Sequence, residues 1–122
     1  MILAIVDDLM FTSKIKTAAS QLGVAVTFAR SRDAALTGMR AATPSLVILD
    51  LNASRTDPLG VIASMKADPA LAGIPTVGFV SHVQVDLIDR ARQAGVGEVM
   101  ARSAFTARLA DILTNSARIP NS

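Results

Sequence analysis

Three aspartates stand where short apolar runs end. Asp7 and Asp8 follow Leu3-Ala4-Ile5-Val6, and Asp50 follows Leu46-Val47-Ile48-Leu49. If those two runs are neighbouring strands, three of the chain's ten acidic residues converge at one place. Like charges within a few ångströms repel, and burying them unpaired is costly. A hard divalent cation relieves that cost. Mg²⁺ takes oxygen ligands, keeps several waters and commonly binds one or two carboxylates together with phosphate oxygens. A carboxylate beside such an ion can also attack phosphorus and become an aspartyl phosphate. Each residue has an ordinary reading as well: Asp8 can cap a helix, Asp7 can be a loop residue, and Asp50 can sit in a turn before Asn52 and Ser54.

The elements that must position these side chains follow from the apolar spacing. Strand-length runs, most of them rich in Val and Ile, cover Leu3 to Val6, Val24 to Ala29, Leu46 to Leu49, Thr76 to Val80 and Val96 to Ala101. Helical periodicity lies between them. Phe11, Ile15, Ala18, Ala19 and Leu22 share one face, with Gly23 as the stop; Val83, Leu87, Ile88, Ala91 and Ala94 share another, with Gly95 as the stop. Phe105, Leu109, Ile112 and Leu113 predict a helix near the C-terminus. Weaker helices fit 32–42, with Ser31 as N-cap, and 58–66, with Asp57 as N-cap and Pro58 in first position.

Five strands alternating with five helices predict an α/β fold with a parallel sheet covered on both faces. The first and third runs contain no polar residue, as expected of interior strands. Right-handed crossovers and this chain length favour the doubly wound, flavodoxin-like order 2-1-3-4-5. The chain then switches direction between the first and third strands, and ligands of such sheets bind outside the carboxyl ends of the strands at that switch point. Asp7, Asp8 and Asp50 fall there.

Composition narrows the function. At 122 residues the chain is near the size of one domain, and 51% hydrophobic with 18% charged residues suits a packed globule. No apolar run approaches the roughly 20 residues of a spanning helix. The apolar start lacks the basic leader and cleavage pattern of a signal peptide. The expectation is a cytoplasmic protein with no membrane association. The absence of cysteine excludes disulfides, thiolate metal sites and a cysteine nucleophile. The net charge is +2, the twelve basic residues are scattered, and the aromatics are four phenylalanines. That pattern does not suit a nucleic-acid surface, so no nucleic-acid partner is expected.

At these residues the chain resembles the receiver domains of two-component response regulators (CheY-like). The resemblance spans about residues 2–115. It is carried by Ile5-Val6-Asp7-Asp8, by Leu46-Val47-Ile48-Leu49-Asp50-Leu51-Asn52, by Ile74-Pro75 before the fourth strand and by Ala94-Gly95-Val96 before the fifth. It implies a receiver-like domain over 1–117, with 118–122 as a frayed tail. It implies Asp50 as phospho-acceptor, with Mg²⁺ held by Asp7, Asp8, Asp50 and the backbone carbonyl of Asn52. The phosphoryl donor would be a histidine kinase or phosphotransfer protein. A downstream protein would dock on helix 4, strand 5 and helix 5, around Val85, Asp89, Arg92, Glu98, Met100 and Arg108, with a homodimer as a candidate assembly.

The departures from that family are as specific as the match. Val80 replaces the usual Thr or Ser at the end of the fourth strand and has no hydroxyl to donate. Ser81 can substitute only if the strand ends or bulges before it, because successive strand residues face opposite ways. His82 is a helix-start residue or a group on the site's rim. Arg102 falls on the family's Lys and keeps the charge on a longer, planar fork. Val99 takes the aromatic switch position, and Ser103 the place of the following Pro. The usual hydrogen-bonded readout through a hydroxyl and an aromatic ring is therefore absent, while acceptor and metal ligands remain.

Three readings follow. The chain is a phosphorylatable receiver with atypical readout, a phosphorylation-independent pseudo-receiver that binds proteins, or, remotely, an aspartyl-phosphate hydrolase. The last lacks a second carboxylate, since Asn52 stands where an acid/base would be needed; the chain is not expected to be an enzyme.

Overall fold

The computed structural model describes residues 1–81 and 84–118. The positions His82 and Val83, and residues 119–122 of the expected tail, lie outside the described residues. The strands are β1 (Ile2–Ile5), β2 (Val26–Ala29), β3 (Leu46–Asp50), β4 (Thr76–Val80) and β5 (Glu98–Ala101). The helices are α1 (Leu9–Leu22), α2 (Arg32–Ala41), α3 (Pro58–Ala67), α4 (Val85–Ala94), α5 (Arg102–Ala107) and α6 (Leu109–Arg118), with a short 3₁₀ turn at Ser54–Thr56.

The five strands form one parallel sheet in the order β2-β1-β3-β4-β5. Both wholly apolar runs are interior strands. β1 lies between β2 and β3, every residue of β1 and β3 is buried, and the edge strands β2 and β5 are only partly covered. Alternation along the strands sorts the core into two layers. Leu3, Ile5, Val47, Leu49 and Val80 pack with α2, α3 and α4 through Met39, Ile62 and Ala91. Ala4, Ile48 and Phe79 pack with α1, α5 and α6 through Phe11, Ile15, Phe105 and Leu113.

Local sequence sets the helix ends. Asp8 caps α1, Ser31 caps α2 through the Ala34 N–H, and Asp57 caps α3 through the Gly60 N–H with Pro58 in first position. Gly23 (φ 69°) and Gly95 (φ 111°) end α1 and α4 in the left-handed region, which a residue without Cβ enters at little cost.

Three expectations change. β2 and β5 each begin two residues later than their apolar runs: Gly97 passes close to the Thr76 backbone, and the N–H of Val24, just past the end of α1, bonds the Ala19 carbonyl. Leu22 is exposed rather than part of the buried α1 face. The C-terminal periodicity covers two helices, not one: the chain bends at Arg108, whose N–H bonds Ala104 and Phe105, so the described residues hold six α-helices instead of five. Phe105 and Leu109 both stay buried across the bend, which is why the apolar pattern runs through it unbroken.

Candidate functional site

The site forms at the carboxyl ends of β1, β3 and β5. Asp7 and Asp8 leave β1, Asp50 is the last residue of β3, and Arg102 follows β5 directly. Because β1 pairs with β3 in register, the chain ends carrying Asp8 and Asp50 emerge side by side.

Asp8 and Asp50 use their oxygens in the same way. Asp8 Oδ1 accepts from the N–H groups of Met10 (2.9 Å) and Phe11 (3.2 Å). Asp50 Oδ1 accepts from the Asn52 N–H at 3.0 Å. Each Oδ2 faces Arg102 Nη2, at 3.7 Å in both cases. The ordinary capping and turn roles therefore coexist with a shared charged centre. One oxygen fixes the local backbone, and the other is presented to a cation.

Asp50 is the buried member, only 4% exposed. Burial raises its carboxyl above the ordinary value of 3.8, since removing water disfavours the charged form. The Asn52 N–H and then the Arg102 charge pull it back, and the charges of Asp7 and Asp8 push it up again. Asp7 is half-buried and acts on Asp50 through its charge.

Arg102 is seated on aromatic carbon. Its guanidinium carbon lies 4.7 Å from the Phe11 ring centre and 5.7 Å from that of Phe79, within cation–π range. Phe79 stacks on Phe105 at 4.7 Å and packs on Phe11 at 4.8 Å, so three of the chain's four phenylalanines lie beneath the site. Sequence reasoning missed this floor. Spacing offered only part of the signal: Phe105 is one helical turn after Arg102 and Phe11 one turn after Asp8, but no spacing links Arg102 to Phe11 or Phe79.

Val80 ends β4, is fully buried and packs into the layer opposite Phe79. β4 ends just before Ser81, as a substitute hydroxyl at that position requires. Ser81 is exposed, and its N–H donates to Asn52 Oδ1 at 2.7 Å. Asn52 Nδ2 donates to Gln84 Oε1 at 2.6 Å. The Asn52 side chain thus ties the loop after β3 to the loop before α4, a bridge not foreseen from the sequence. Val99, at the expected switch position, packs on the core beside α4. On the expected partner face, Val85, Asp89, Arg92, Glu98 and Arg108 are exposed, Arg108 donates to Glu98 at 2.8 Å, and Met100 is half-buried against the core.

Asp8 and Asp50 each present one carboxylate oxygen to the same place, and oxygen is the ligand a hard cation takes. Among the described residues no three carboxylate or imidazole side chains are grouped to hold a metal ion by themselves. The Arg102 guanidinium also stands against the two oxygens that would serve. Oxygen donors of this kind suit Mg²⁺ in chemistry, and in this structure Arg102 shares them.

No protein-family model matches the chain, and no curated protein does. Solved structures do. The chain is similar to the phosphorylated cyanobacterial phytochrome response regulator RcpA, at 26% identity over 93% of this chain and 88% of that one, with a TM-score of 0.77. It is similar to the Mn²⁺-bound response regulator Rcp1, at 18% identity over 99% and 97% of the two chains and a TM-score of 0.82. A response regulator from Hahella chejuensis gives 19% identity over 99% and 97%, with a TM-score of 0.86. The chain has the CheY-like receiver fold of response regulators. Among the described residues no helix is long and apolar enough to cross a membrane.

Proposed function

We propose that the chain is the phospho-acceptor receiver of a two-component system, taking a phosphoryl group from a phosphohistidine onto Asp50. The observation that carries this reading is the state of Asp50: buried at the end of β3, one oxygen fixed by the Asn52 N–H and the other turned toward Arg102. In the transfer, an Asp50 carboxylate oxygen forms the new bond to phosphorus as the phosphorus–nitrogen bond breaks, and the departing imidazole nitrogen picks up a proton. Asn52 holds the carboxylate in a single orientation, so little is lost in aligning it. Arg102 offers N–H donors and positive charge to the phosphoryl oxygens. Asp7, Asp8, Asp50 and the Asn52 carbonyl would hold Mg²⁺, which when bound supplies further positive charge at those oxygens. The chain is an acceptor rather than an enzyme in this reading. Its donor is a histidine kinase or phosphotransfer protein, and its output partner docks on α4, β5 and the C-terminal helices.

Support comes from the fold and from two of the similar proteins, RcpA solved in phosphorylated form and Rcp1 solved with Mn²⁺. The test is incubation with acetyl phosphate and Mg²⁺ followed by intact-mass measurement. Wild type should gain one phosphoryl group and Asp50→Asn none. An unmodified wild type at saturating donor would overturn the proposal.

A second reading, a phosphorylation-independent pseudo-receiver that binds proteins, is favoured by one observation. Val80 buries an apolar side chain where a hydroxyl would report the phosphoryl group, and Val99 carries no ring. An unmodified wild type would point there.

A further inference from the structure

Arg102 does more than occupy a lysine's place. Its Nη2 lies 3.7 Å from one oxygen of Asp8 and 3.7 Å from one oxygen of Asp50, bridging the cap of α1 to the end of β3. Its guanidinium carbon lies over the rings of Phe11 and Phe79. Among the described residues, its Nε is the one buried side-chain polar atom without a hydrogen-bond partner. Two features of this seat matter together. The carboxylate oxygens it faces are the ones left over after capping and turn bonds are made, so they are also the oxygens open to an ion. And the seat is loose: 3.7 Å is beyond the roughly 2.7–2.9 Å of a charge-assisted hydrogen bond, and an orphaned buried N–H opposes it.

We infer that Arg102 is the site's resident counter-ion, and that a divalent cation reaches Asp8 and Asp50 only by displacing its guanidinium from between them. The inference rests on the proposed cation role of those carboxylates and adds the competition to it. Without a cation, the guanidinium neutralises the pair and covers the buried oxygen of Asp50. With a cation bound, the guanidinium swings off the rings, and its donors become free for an incoming phosphoryl group. Arg102 is then a specificity-determining residue that sets how readily the site takes a cation.

Two measurements test this on the full chain. The first is Mn²⁺ binding followed by the loss of the free-ion paramagnetic signal, for wild type, Arg102→Gln and Lys14→Gln. Lys14 is a cation near the Phe11 ring, 6.0 Å from its centre, and serves as the charge control. Displacement predicts that Arg102→Gln binds Mn²⁺ about tenfold more tightly than wild type while Lys14→Gln stays within about twofold. The second is NMR of the Arg102 Nε–H in wild type. It should exchange slowly without cation and lose that protection on saturation with Mg²⁺, which keeps the inference testable if Arg102→Gln fails to fold. Equal Mn²⁺ affinity in wild type and Arg102→Gln overturns the inference and leaves the cation site standing. So does equal tightening in both variants, which would be bulk charge alone. An Nε–H that exchanges fast, or stays protected with Mg²⁺ bound, overturns it too. If neither wild type nor Arg102→Gln binds Mn²⁺, the cation role itself fails and the inference with it, while acetyl phosphate labelling of Asp50 still reads the acceptor role separately.

Discussion

Asp8 and Asp50, forty-odd residues apart in sequence, divide their oxygens alike: Oδ1 to backbone N–H groups just ahead in the chain, Oδ2 toward the same nitrogen of Arg102. A carboxylate that both shapes a loop and presents an oxygen is fixed in direction before any ligand arrives. That is a requirement for a nucleophile or ligand that must not reorganise. The arrangement also explains how three acidic groups coexist at the end of a buried sheet. The nearest cation is covalently part of the chain.

The Asp50 carboxyl should titrate above 3.8, because its burial outweighs the Asn52 N–H and the Arg102 charge. The sign for stability follows. A folded-state pKa above the unfolded one means the native state holds the proton more tightly, so stability falls as pH rises through that interval. Asp50→Asn should therefore be more stable than wild type at pH 7, and the advantage should vanish as pH falls below the ordinary value. A rise in Tm of about 4 °C would correspond to ~1 kcal/mol for a domain of this size. Carbon-13 titration of the Asp50 carboxyl gives a direct check. Its midpoint should rise further in Arg102→Gln, where a lowering charge is gone, and a wild-type midpoint at or below 3.8 would contradict the burial argument.

Asp8 has two separable roles. Asp8→Ser keeps a side-chain oxygen to cap α1 but removes the charge facing Arg102, whereas Asp8→Ala removes both. The cap alone is worth about 0.5–2 kcal/mol. Urea melts should place Asp8→Ala below Asp8→Ser by about that amount, while the two variants bind Mn²⁺ equally weakly. Equal stability of the two would mean the 2.9 Å bond to Met10 contributes nothing.

Phe105 is fully buried, its ring 4.7 Å from Phe79 and 5.8 Å from Phe11. Phe105→Ala should cost about 3–5 kcal/mol in urea unfolding, the transfer loss plus the cavity left behind. It should also unseat Arg102, since the rings beneath the guanidinium lose their backing. The readout is faster exchange of the Arg102 Nε–H in a variant that still folds.

The strand order and two of the three interior strands, β1 and β3, were legible because a sheet covered on two faces needs unbroken apolar runs, and Leu3–Val6 and Leu46–Leu49 are such runs. The capping residues Ser31 and Asp57 and the stops Gly23 and Gly95 were legible for a related reason: their chemistry is local. The bend at Arg108 was not. Helical periodicity reports which side is buried, and that side is continuous from Phe105 to Leu113 whether or not the axis bends. For the site, residue types and order placed Asp7, Asp8, Asp50 and Arg102 at one end of the sheet. They did not reveal that Arg102 lies on Phe11 and Phe79, since those rings reach it from other elements. Nor did they show the side chain of Asn52 bonded to the loop before α4, a contact set by where two loops happen to meet.

That loop contact yields a final prediction. Asn52 donates its backbone N–H to the Asp50 carboxylate, accepts the Ser81 N–H and donates to Gln84. Gln84 precedes α4 and makes no side-chain cap bond to it. One residue therefore joins the Asp50 carboxylate to the start of the helix on the expected output face, along a path that needs neither a hydroxyl at Val80 nor a ring at Val99. Asn52→Ala keeps the backbone bond to Asp50 and deletes both side-chain bonds. Each such bond is worth about 0.5–1.5 kcal/mol net, so the loss should be modest globally and concentrated locally. The Ser81 amide should exchange with solvent faster, and so should the first turn of α4, while amides of β1 and β3 keep wild-type protection. On acetyl phosphate treatment, wild type should show chemical-shift changes that extend into α4, and Asn52→Ala should confine them to the loop after β3. Identical shift changes in α4 for both proteins would show that Asn52 is not the link between acceptor and helix.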